Sequence, residues 1–406
     1  MKIALIGEKL GHSYSPQLHK KLGDYEYRLV PLPEEEVGEY LRRGEFDGLN
    51  VTIPYKRTVI PYLAELSPAA ERIGAVNTIV WRNGKLRGEN TDYDGFLYML
   101  RRRGFDVSGK KVLVLGTGGA ARTVCTVLRD ERAGEIVSVS RTGENNYENI
   151  TRHRDAAYIV NATPVGMYPN NGVSLLDLTR FPSLKGVMDL IYNPARTKLL
   201  LDAESLGIPG ENGLSMLASQ ARRASELFTG REIADVDLEK VIRDTDRETE
   251  NIVLIGMPGC GKTTVGRLLA EKLGRRFLDA DEAFTEKFGV SPGDCIRDAG
   301  ESAFRERETA LLRELGKESG LVLATGGGCV TREENRALLR QNGKVIWLEQ
   351  SPEKLAVAGR PLSQREGVEK LYRERFALYR HFADIRLSVG ESAGETAERV
   401  KEAFFG

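Results

Sequence analysis

Gly256-Met257-Pro258-Gly259-Cys260-Gly261-Lys262-Thr263 fits the phosphate-binding pattern G-x-x-x-x-G-K-[ST] at every position, and Thr264 extends its hydroxyl end. An apolar run, Asn251–Ile255, precedes it. A helical pattern with Val265, Leu268, Leu269 and Leu273 on one face follows. The glycines let backbone N–H groups close around phosphate oxygens at a helix N-terminus, where the dipole favours negative charge. Such a loop predicts a bound nucleoside triphosphate, ATP, with Lys262 near its β- and γ-phosphates and the Thr263 hydroxyl facing Mg²⁺. A chance glycine-rich turn has no need of strand, loop, Lys-Thr pair and helix in that order. Strand, loop and helix together set the surrounding fold class as α/β with a parallel sheet.

Outward from this loop, the chain of 406 residues is longer than one hydrophobic core usually serves, which predicts two or three domains. Its 59 basic and 59 acidic side chains cancel, an argument against a dedicated nucleic-acid or membrane-surface protein. Cys125, Cys260, Cys295 and Cys329 form no C-x-x-C pair, so neither a disulfide framework nor a zinc site is expected. The opening Met1–Gly7 reads as a short strand rather than a signal peptide, and no apolar stretch approaches the length of a membrane span. The expected location is cytoplasmic.

Short β-rich runs alternate with helical patterns throughout. A first series comprises Lys2–Ile6, Tyr25–Val30 and Leu49–Ile53. A second comprises Lys111–Leu115, Glu135–Ser140, Tyr158–Asn161 and Gly186–Leu190. A third comprises Asn251–Ile255, Phe277–Leu278, Leu321–Ala324 and Lys344–Leu348. Before the third, Arg243–Glu250 has no large apolar side chain and reads as a linker.

In the second series, Lys111–Leu115 leads into Gly116-Thr-Gly118-Gly119-Ala120-Ala-Arg122 and a helical run, a dinucleotide-binding pattern with alanine at its third position. An NAD site would place an acid at the end of the next strand. This chain has Ser140-Arg141-Thr142 there instead. A planar guanidinium suits a ribose 2′-phosphate through two parallel hydrogen bonds, so NADP(H) is the expected cofactor; the bland reading is an ordinary surface arginine.

Three polar clusters stand upstream: Ser13-Tyr-Ser15-Pro16, Asn50-Val-Thr52-Ile-Pro-Tyr-Lys56, and Gly74–Thr78 (with Asn77) joined by Glu89-Asn-Thr-Asp92. Short hydroxyl and amide groups at strand ends suit a small polyhydroxy acid. Hydride reduction of a ketone leaves an alkoxide that needs a proton. Lys56 oriented by Asp92 can supply it, though a lone lysine after a strand is more often a solvated charge.

Taken in order, these motifs resemble shikimate dehydrogenase over residues 1 to about 240. Asn161–Met167 and Glu211–Gln220 stand where that family has N-A-T-x-x-G-M and E-N-G-x-x-M-L-x-x-Q. The resemblance implies a catalytic Lys56–Asp92 pair, with Ser13, Ser15, Asn50, Thr52, Asn77, Tyr192 and Gln220 on the substrate. It implies NADP(H) on Gly116, Gly118, Gly119, Ala120, Arg141 and Thr142, and Thr163, Met167, Gly213 and Met216 on the nicotinamide side. The segment after Arg141 is shorter and poorer in helix formers than the family's, with Glu144 close to where a second base is usual. That predicts a weaker hold on the 2′-phosphate. Ser13, Ser15 and Thr52 do not by themselves separate shikimate from quinate.

In the last third, Phe277-Leu-Asp279-Ala-Asp281 places two carboxylates at a strand end, able to serve Mg²⁺ through water and an acceptor hydroxyl, or else simply solvated. Arg305 sits on a helical run, and Thr325-Gly326-Gly327-Gly328 follows a buried strand, where glycines suggest close backbone approach by a ligand. Residues from about 250 to 406 resemble shikimate kinase. The shared motifs are D-x-D after the phosphate loop, F-R-x-x-E at Phe304–Glu308, the triple glycine, and R-P-L at Arg360–Leu362. The resemblance implies that Asp281, Arg305, Gly327 and Arg375 hold shikimate and that Asp279 with Thr263 serves magnesium. Lys262, Arg360 and Asp281 carry the chemistry, and Gly256, Gly259, Cys260, Gly261 and Thr264 cradle the nucleotide. Two departures stand out: a short Ser351–Ser363 lid stretch, and Arg375-Phe-Ala377-Leu-Tyr379 where the family has R-x-P-L-Y. The expected architecture is an α/β substrate domain (about 1–95 and 210–243) with a Rossmann domain (about 96–209). A linker at 244–250 and a P-loop domain at 251–406 complete it. The expected partners are the small molecules 3-dehydroshikimate and shikimate, with no nucleic acid and no membrane. The alternatives are a dehydrogenase of relaxed specificity beside a small-molecule kinase, or one half acting as a nucleotide-sensing module.

Overall fold

The computed structural model describes residues 1–10, 14–355 and 367–406. It divides into two compact units: Met1–Met167 with Val173–Tyr192 and Leu199–Thr245, and Asp246–Gly406 with Tyr168–Gly172 and Asn193–Lys198. Among the described residues no helix is long and apolar enough to cross a membrane.

The first unit holds two sheets. One contains β1 (Lys2–Gly7), β2 (Glu26–Pro31), β3 (Gly48–Val51), β4 (Glu65–Leu66), β5 (Thr78–Arg82) and β6 (Lys85–Glu89), in the order β2-β1-β3-β5-β6-β4. β1, β2 and β3 run parallel, whereas β5 is antiparallel to both β3 and β6. The β5–β6 hairpin falls outside the runs read from the sequence. Its turn is Asn83-Gly84 with positive φ at both residues (51° and 73°), the dipeptide whose left-handed geometry matches strand twist in a two-residue turn. The other sheet contains β7 (Lys111–Leu115), β8 (Glu135–Val139), β9 (Tyr158–Asn161), β10 (Gly186–Asp189) and β11 (Gly210–Glu211), in the order β11-β10-β9-β7-β8, all parallel. β9 and β10 are buried at every residue, as strands covered on both faces must be. The chain turns from outward to inward winding between β7 and β9, the crevice where such sheets bind ligands.

The helices Thr91–Arg102 and Leu214–Thr229 carry the chain between these sheets and pack tightly on each other. Their approach requires Gly95, because a Cβ there would stand 2.6 Å from the Met216 carbonyl oxygen.

The second unit is built on β12 (Asn251–Ile255), β13 (Phe277–Asp279), β14 (Val322–Ala324), β15 (Gly343–Glu349) and β16 (Ile385–Ser388), parallel and ordered β13-β14-β12-β15-β16. β16 alternates half-buried and exposed residues at the sheet edge, too weak a run to stand out in the sequence. The core gathers Leu254, Ile255, Leu269, Leu323, Trp347 and Phe382.

One expectation is corrected. Arg243–Glu250 is no extended linker: all but its last residue lies in the helix Asp235–Thr249. Leu238, Val241, Ile242 and Thr245 form a buried stripe at helical spacing, and the stretch has no Gly or Pro to stop it. Charge alone was a poor guide, because Asp, Arg and Glu are also at home on the solvated side of a helix.

Candidate functional site

In the first unit, β3 ends at Val51 and the chain enters a turn that carries Lys56. Asp92 stands in the first turn of the helix Thr91–Arg102, whose N-cap Asn90 accepts from Tyr93 N. Asn90 also donates to the Ala75 carbonyl at 2.9 Å, which ties the helix start to the Gly74–Thr78 segment. Lys56 Nζ donates to Asp92 Oδ2 at 2.6 Å, and both side chains are mostly covered, 28% and 17% exposed. The pair separated by 36 residues in sequence is a single ion pair in space.

Around it the amide residues are locked by two threonines that the sequence reading passed over. Asn77 Oδ1 accepts from Thr91 N at 2.7 Å, and Asn77 Nδ2 donates to Thr91 Oγ1 at 3.0 Å. Asn50 Nδ2 donates to Thr78 Oγ1 at 3.0 Å, while its Oδ1 accepts from the Tyr27 hydroxyl. Gln220 Oε1 accepts from Thr91 Oγ1 at 3.5 Å. Asn50, Asn77 and Gln220 therefore belong to one buried network beside Lys56 and Asp92. Ser15 is buried at the start of the helix Ser15–Leu22, and Thr52 is half-buried where β3 ends. Tyr192 packs its ring on Tyr14 at 5.0 Å, and burial pushes its phenol up. Ser13 lies outside the described residues.

On the dinucleotide side, Gly116 closes β7 with φ of 108°, and a Cβ there would come within 3.1 Å of the Ala162 carbonyl and the Thr163 methyl. The loop thus meets the N-A-T segment across the crevice. Gly118 caps the helix Gly119–Asp130, and Gly119 and Ala120 are exposed at its N-terminus, where N–H groups suit phosphate. Thr163 is fixed by Asn161, whose Oδ1 accepts from Thr163 N and Oγ1. Asn161 in turn donates to buried Asp189 at 3.0 Å. Met167 is 45% exposed. Gly213, the N-cap of Leu214–Thr229, leaves no room for a side chain, since a Cβ would overlap the Leu190 carbonyl at 2.0 Å. Met216, expected on the nicotinamide side, packs with Phe96, Met99 and Val114. Arg141 and Thr142 are exposed after β8. The following stretch makes no α-helix. Ser140 Oγ accepts from Gly143 N, and Asn146 and Asn149 bond to each other's backbone, so asparagine side chains replace helical bonds.

In the second unit, Gly256, Gly259 and Gly261 all take positive φ (147°, 90° and 93°), which is what the phosphate loop asks of glycine. Gly261 caps the helix Lys262–Leu273, whose first turn brings Thr263 and Thr264 to the surface, while Cys260 is buried. Lys262 Nζ donates to the Gly256 and Met257 carbonyls at 2.9 and 3.0 Å. Thr263 Oγ1 donates to Asp279 Oδ2 at 2.6 Å, joining a hydroxyl and a carboxylate suited to a hard cation. Asp279 also caps the helix Ala280–Phe288 by accepting from Asp281 N.

The triple glycine has three separate reasons. A Cβ at Gly326 would meet Glu308 Oε1 at 2.7 Å and Asp281 Oδ1 at 3.0 Å; at Gly327 it would meet Pro258 of the phosphate loop at 2.5 Å; at Gly328 it would meet Arg305 Nη2 at 1.9 Å. The loop is thus wedged between nucleotide loop, acids and guanidinium. Arg305 is held by Glu308 (Nη1 to Oε2, 2.7 Å) and by Glu301 (Nη2 to Oε1, 3.0 Å). Burial pushes the Glu308 carboxyl up, against the pull of the Arg305 charge. Glu308 was passed over in the sequence although it ends the F-R-x-x-E motif. Arg375 Nη1 reaches the Gly327 carbonyl at 3.3 Å. One cavity of about 710 Å³ joins Lys262, Thr263, Asp279, Asp281, Arg305 and Arg375. Arg360 and the rest of the R-P-L segment lie outside the described residues.

Comparison with known proteins finds relatives for both parts of the chain. The profile of the shikimate dehydrogenase substrate-binding domain matches residues 5–79, and that of shikimate kinase matches residues 258–404. A shikimate dehydrogenase (NADP(+)) of Clostridium perfringens strain SM101 is 39% identical over 247 residues, covering 56% of this chain and 91% of that protein. The enzyme of Methanopyrus kandleri, of the same name, is 41% identical over 263 residues, covering 57% and 90%. Among solved structures, a chorismate mutase/shikimate 5-dehydrogenase fusion protein from Clostridium acetobutylicum superposes with TM-score 0.58 at 36% identity, over 60% of this chain and 96% of that one. Shikimate 5-dehydrogenase from Thermus thermophilus, in complex with NADP(H) and shikimate, gives 0.55 at 33% identity, over 60% and 98%.

Proposed function

We propose, from the premise that this chain belongs to the shikimate dehydrogenase family and carries a shikimate kinase domain beyond it, that one polypeptide performs two successive steps of the shikimate pathway. The first reduces 3-dehydroshikimate to shikimate with NADPH. The second transfers a phosphoryl group from Mg·ATP to the 3-hydroxyl, the oxygen that the first step has just converted from a ketone.

The residues suit both nucleotides. Gly116 meets Ala162 and Thr163 so closely that only a bare backbone fits there, and exposed helix N–H groups follow. Gly256, Gly259 and Gly261 form the equivalent cradle in the second centre, with Thr263 and Asp279 supplying an all-oxygen pair for Mg²⁺. NADPH, when bound, supplies a hydride to the ketone carbon. Lys56 gives its ammonium proton to the carbonyl oxygen, so that hydride and proton together make the alcohol, and the amine is then reprotonated from solvent. Asp92 keeps that ammonium aimed until the transfer. Asn50, Asn77, Gln220 and Ser15 fix the ring so that the ketone meets Lys56.

In the kinase centre, Arg305 and Arg375 hold the acceptor's carboxylate while Asp281 orients the 3-hydroxyl and takes its proton. Lys262 and Arg360 neutralise charge on the transferring phosphoryl group, and Thr263 with Asp279 would hold the magnesium ion. The observation that carries the reading is the single cavity uniting the phosphate loop with Arg305 and Arg375, in a chain whose other unit holds a covered Lys56–Asp92 ion pair. The need for NADPH and ATP supports a cytoplasmic site of action. The test is a coupled assay with 3-dehydroshikimate, NADPH and Mg·ATP, followed by mass detection of shikimate 3-phosphate. NADPH oxidation without phosphorylated product would remove the kinase half of the reading, and no NADPH oxidation, with ADP released only once shikimate is added, would remove the other.

A further inference from the structure

Three glycines in a row form the most freely jointed segment a chain can have, and Gly326–Gly328 lies where the acceptor binds. What holds it still is visible in the carbonyl groups. Gly326 O accepts from Cys329 N, and Gly328 O accepts from Thr331 N and Oγ1, all within a few residues. The middle carbonyl, Gly327 O, is held from far away in sequence. It accepts from the Tyr379 hydroxyl and from Arg375 Nη1, two donors one helical turn apart on the helix Val368–Phe382. The tyrosine bond is the shorter, 2.5 Å against 3.3 Å.

We propose that Tyr379 is a positioning residue of the phosphoryl-acceptor site. Its hydroxyl pins the Gly327 carbonyl beside the Arg375 guanidinium, so that Arg375 gives the loop only one long bond and keeps a fixed place from which its other N–H groups face the acceptor's carboxylate. The proposal rests on the kinase reading above and adds to it a residue that does not itself touch the acceptor.

The setting supports the role. The Tyr379 ring is fully buried and stacked on Trp347 of β15 at 5.7 Å and 21°, and Trp347 is also braced edge-on by Phe376. The phenol oxygen therefore has a fixed position from which to donate. Burial keeps its proton on at any working pH. Gly327 in turn abuts Pro258 of the phosphate loop, so a small slip of the glycine loop toward that proline is blocked and the loop's freedom lies on the acceptor side. Tyr379 is the final residue of the stretch in which this chain departs from R-x-P-L-Y. The change of proline to Ala377 thus leaves intact the spacing that brings both donors to one carbonyl.

Tyr379→Phe in the full chain tests this, because it keeps the ring and its stacking and removes one oxygen. ADP release is measured with no nicotinamide cofactor present, varying shikimate and ATP separately. The melting temperature and NADP⁺-dependent oxidation of shikimate are recorded on the same preparation. The expected result is a roughly five- to tenfold rise in KM for shikimate, with KM for ATP within about twofold, and with melting and shikimate oxidation unchanged. An unaltered KM for shikimate overturns the proposal. So does a parallel loss of ATP affinity and thermal stability, or failure to fold, since each assigns the hydroxyl to the core rather than to the site. If the wild-type chain releases no ADP with shikimate, the kinase reading itself fails and takes the proposal with it.

Discussion

Replacing Gly328 by alanine should cripple acceptor binding while sparing the fold and the nucleotide site. The backbone there, φ −102° and ψ 2°, is open to alanine, so the substitution introduces no left-handed strain. The added methyl would stand 1.9 Å from Arg305 Nη2, and that guanidinium must retreat by about 1.5 Å to reach ordinary contact. On an exposed arginine such a shift is easy. Arg305 is different, being 9% exposed and clamped by Glu308 on one side and Glu301 on the other. A retreat of that size breaks at least one charge-assisted hydrogen bond and misplaces the group that receives the acceptor's carboxylate. One such bond is worth about 1.5–3 kcal/mol, which converts to a rise of roughly 10- to 150-fold in KM for shikimate. The measurement is steady-state ADP release with shikimate varied at saturating ATP, beside a melting curve and KM for ATP. Near-wild-type KM for shikimate in a folded Gly328→Ala protein would refute the assignment of Arg305 to the acceptor.

Lys56→Ala should lower dehydrogenation by about 10²- to 10⁴-fold and leave ADP release with shikimate unchanged; loss of both in a folded protein contradicts independent centres. Glu144→Lys places a cation in the exposed loop after Arg141 and should lower KM for NADPH severalfold; a rise or no change would show that this loop does not meet the 2′-phosphate. His19, buried against Tyr27, has its imidazole pushed by burial from 6.5 down to about 3, so on acidification the unfolded chain takes up the proton first and stability falls from about pH 6.5 downward. Between pH 7 and 5 this loss should be on the order of 2 kcal/mol, read as a steeper fall in denaturation midpoint for the wild type than for His19→Asn, and equal slopes would count against it.

Which parts of the two centres could be read from sequence follows from how each residue acts. The phosphate loop was legible because its glycines, Lys262 and Thr263 act on one ligand from one contiguous stretch, and backbone geometry allows few other residues there. Lys56 and Asp92 were legible as a pair by chemistry alone, since a ketone reduction needs a held proton donor; nothing local joins positions 36 apart. Residues that act through others were invisible. Thr78 and Thr91 set the amides of Asn50 and Asn77, Asp189 holds Asn161, and Glu308 holds Arg305, yet each looks in sequence like any polar residue near a strand or helix end. The β5–β6 hairpin could have been found from Asn83-Gly84, whereas the helical character of Arg243–Glu250 was hidden because its buried stripe begins upstream, at Leu238.

The two centres meet the same ring with different chemistry, and the difference has a physical consequence. Around Lys56 the groups offered are amides and hydroxyls, already bonded to one another in a buried network, so what they give a substrate is geometry with a modest gain per hydrogen bond. Around Asp281 stand two buried guanidinium groups: Arg305 is paired with Glu301 and Glu308, and Arg375 bonds the Gly327 carbonyl and lies within reach of the Tyr379 hydroxyl and the Glu308 charge. On the proposed reading, a carboxylate held between Arg305 and Arg375 makes charge-assisted hydrogen bonds in a covered site, which are the stronger kind. Shikimate is product in the first centre and substrate in the second. On the proposed reading, shikimate meets mostly amides and hydroxyls beside the Lys56–Asp92 pair in the first centre and two guanidinium groups in the second, so the second centre should bind it the more tightly.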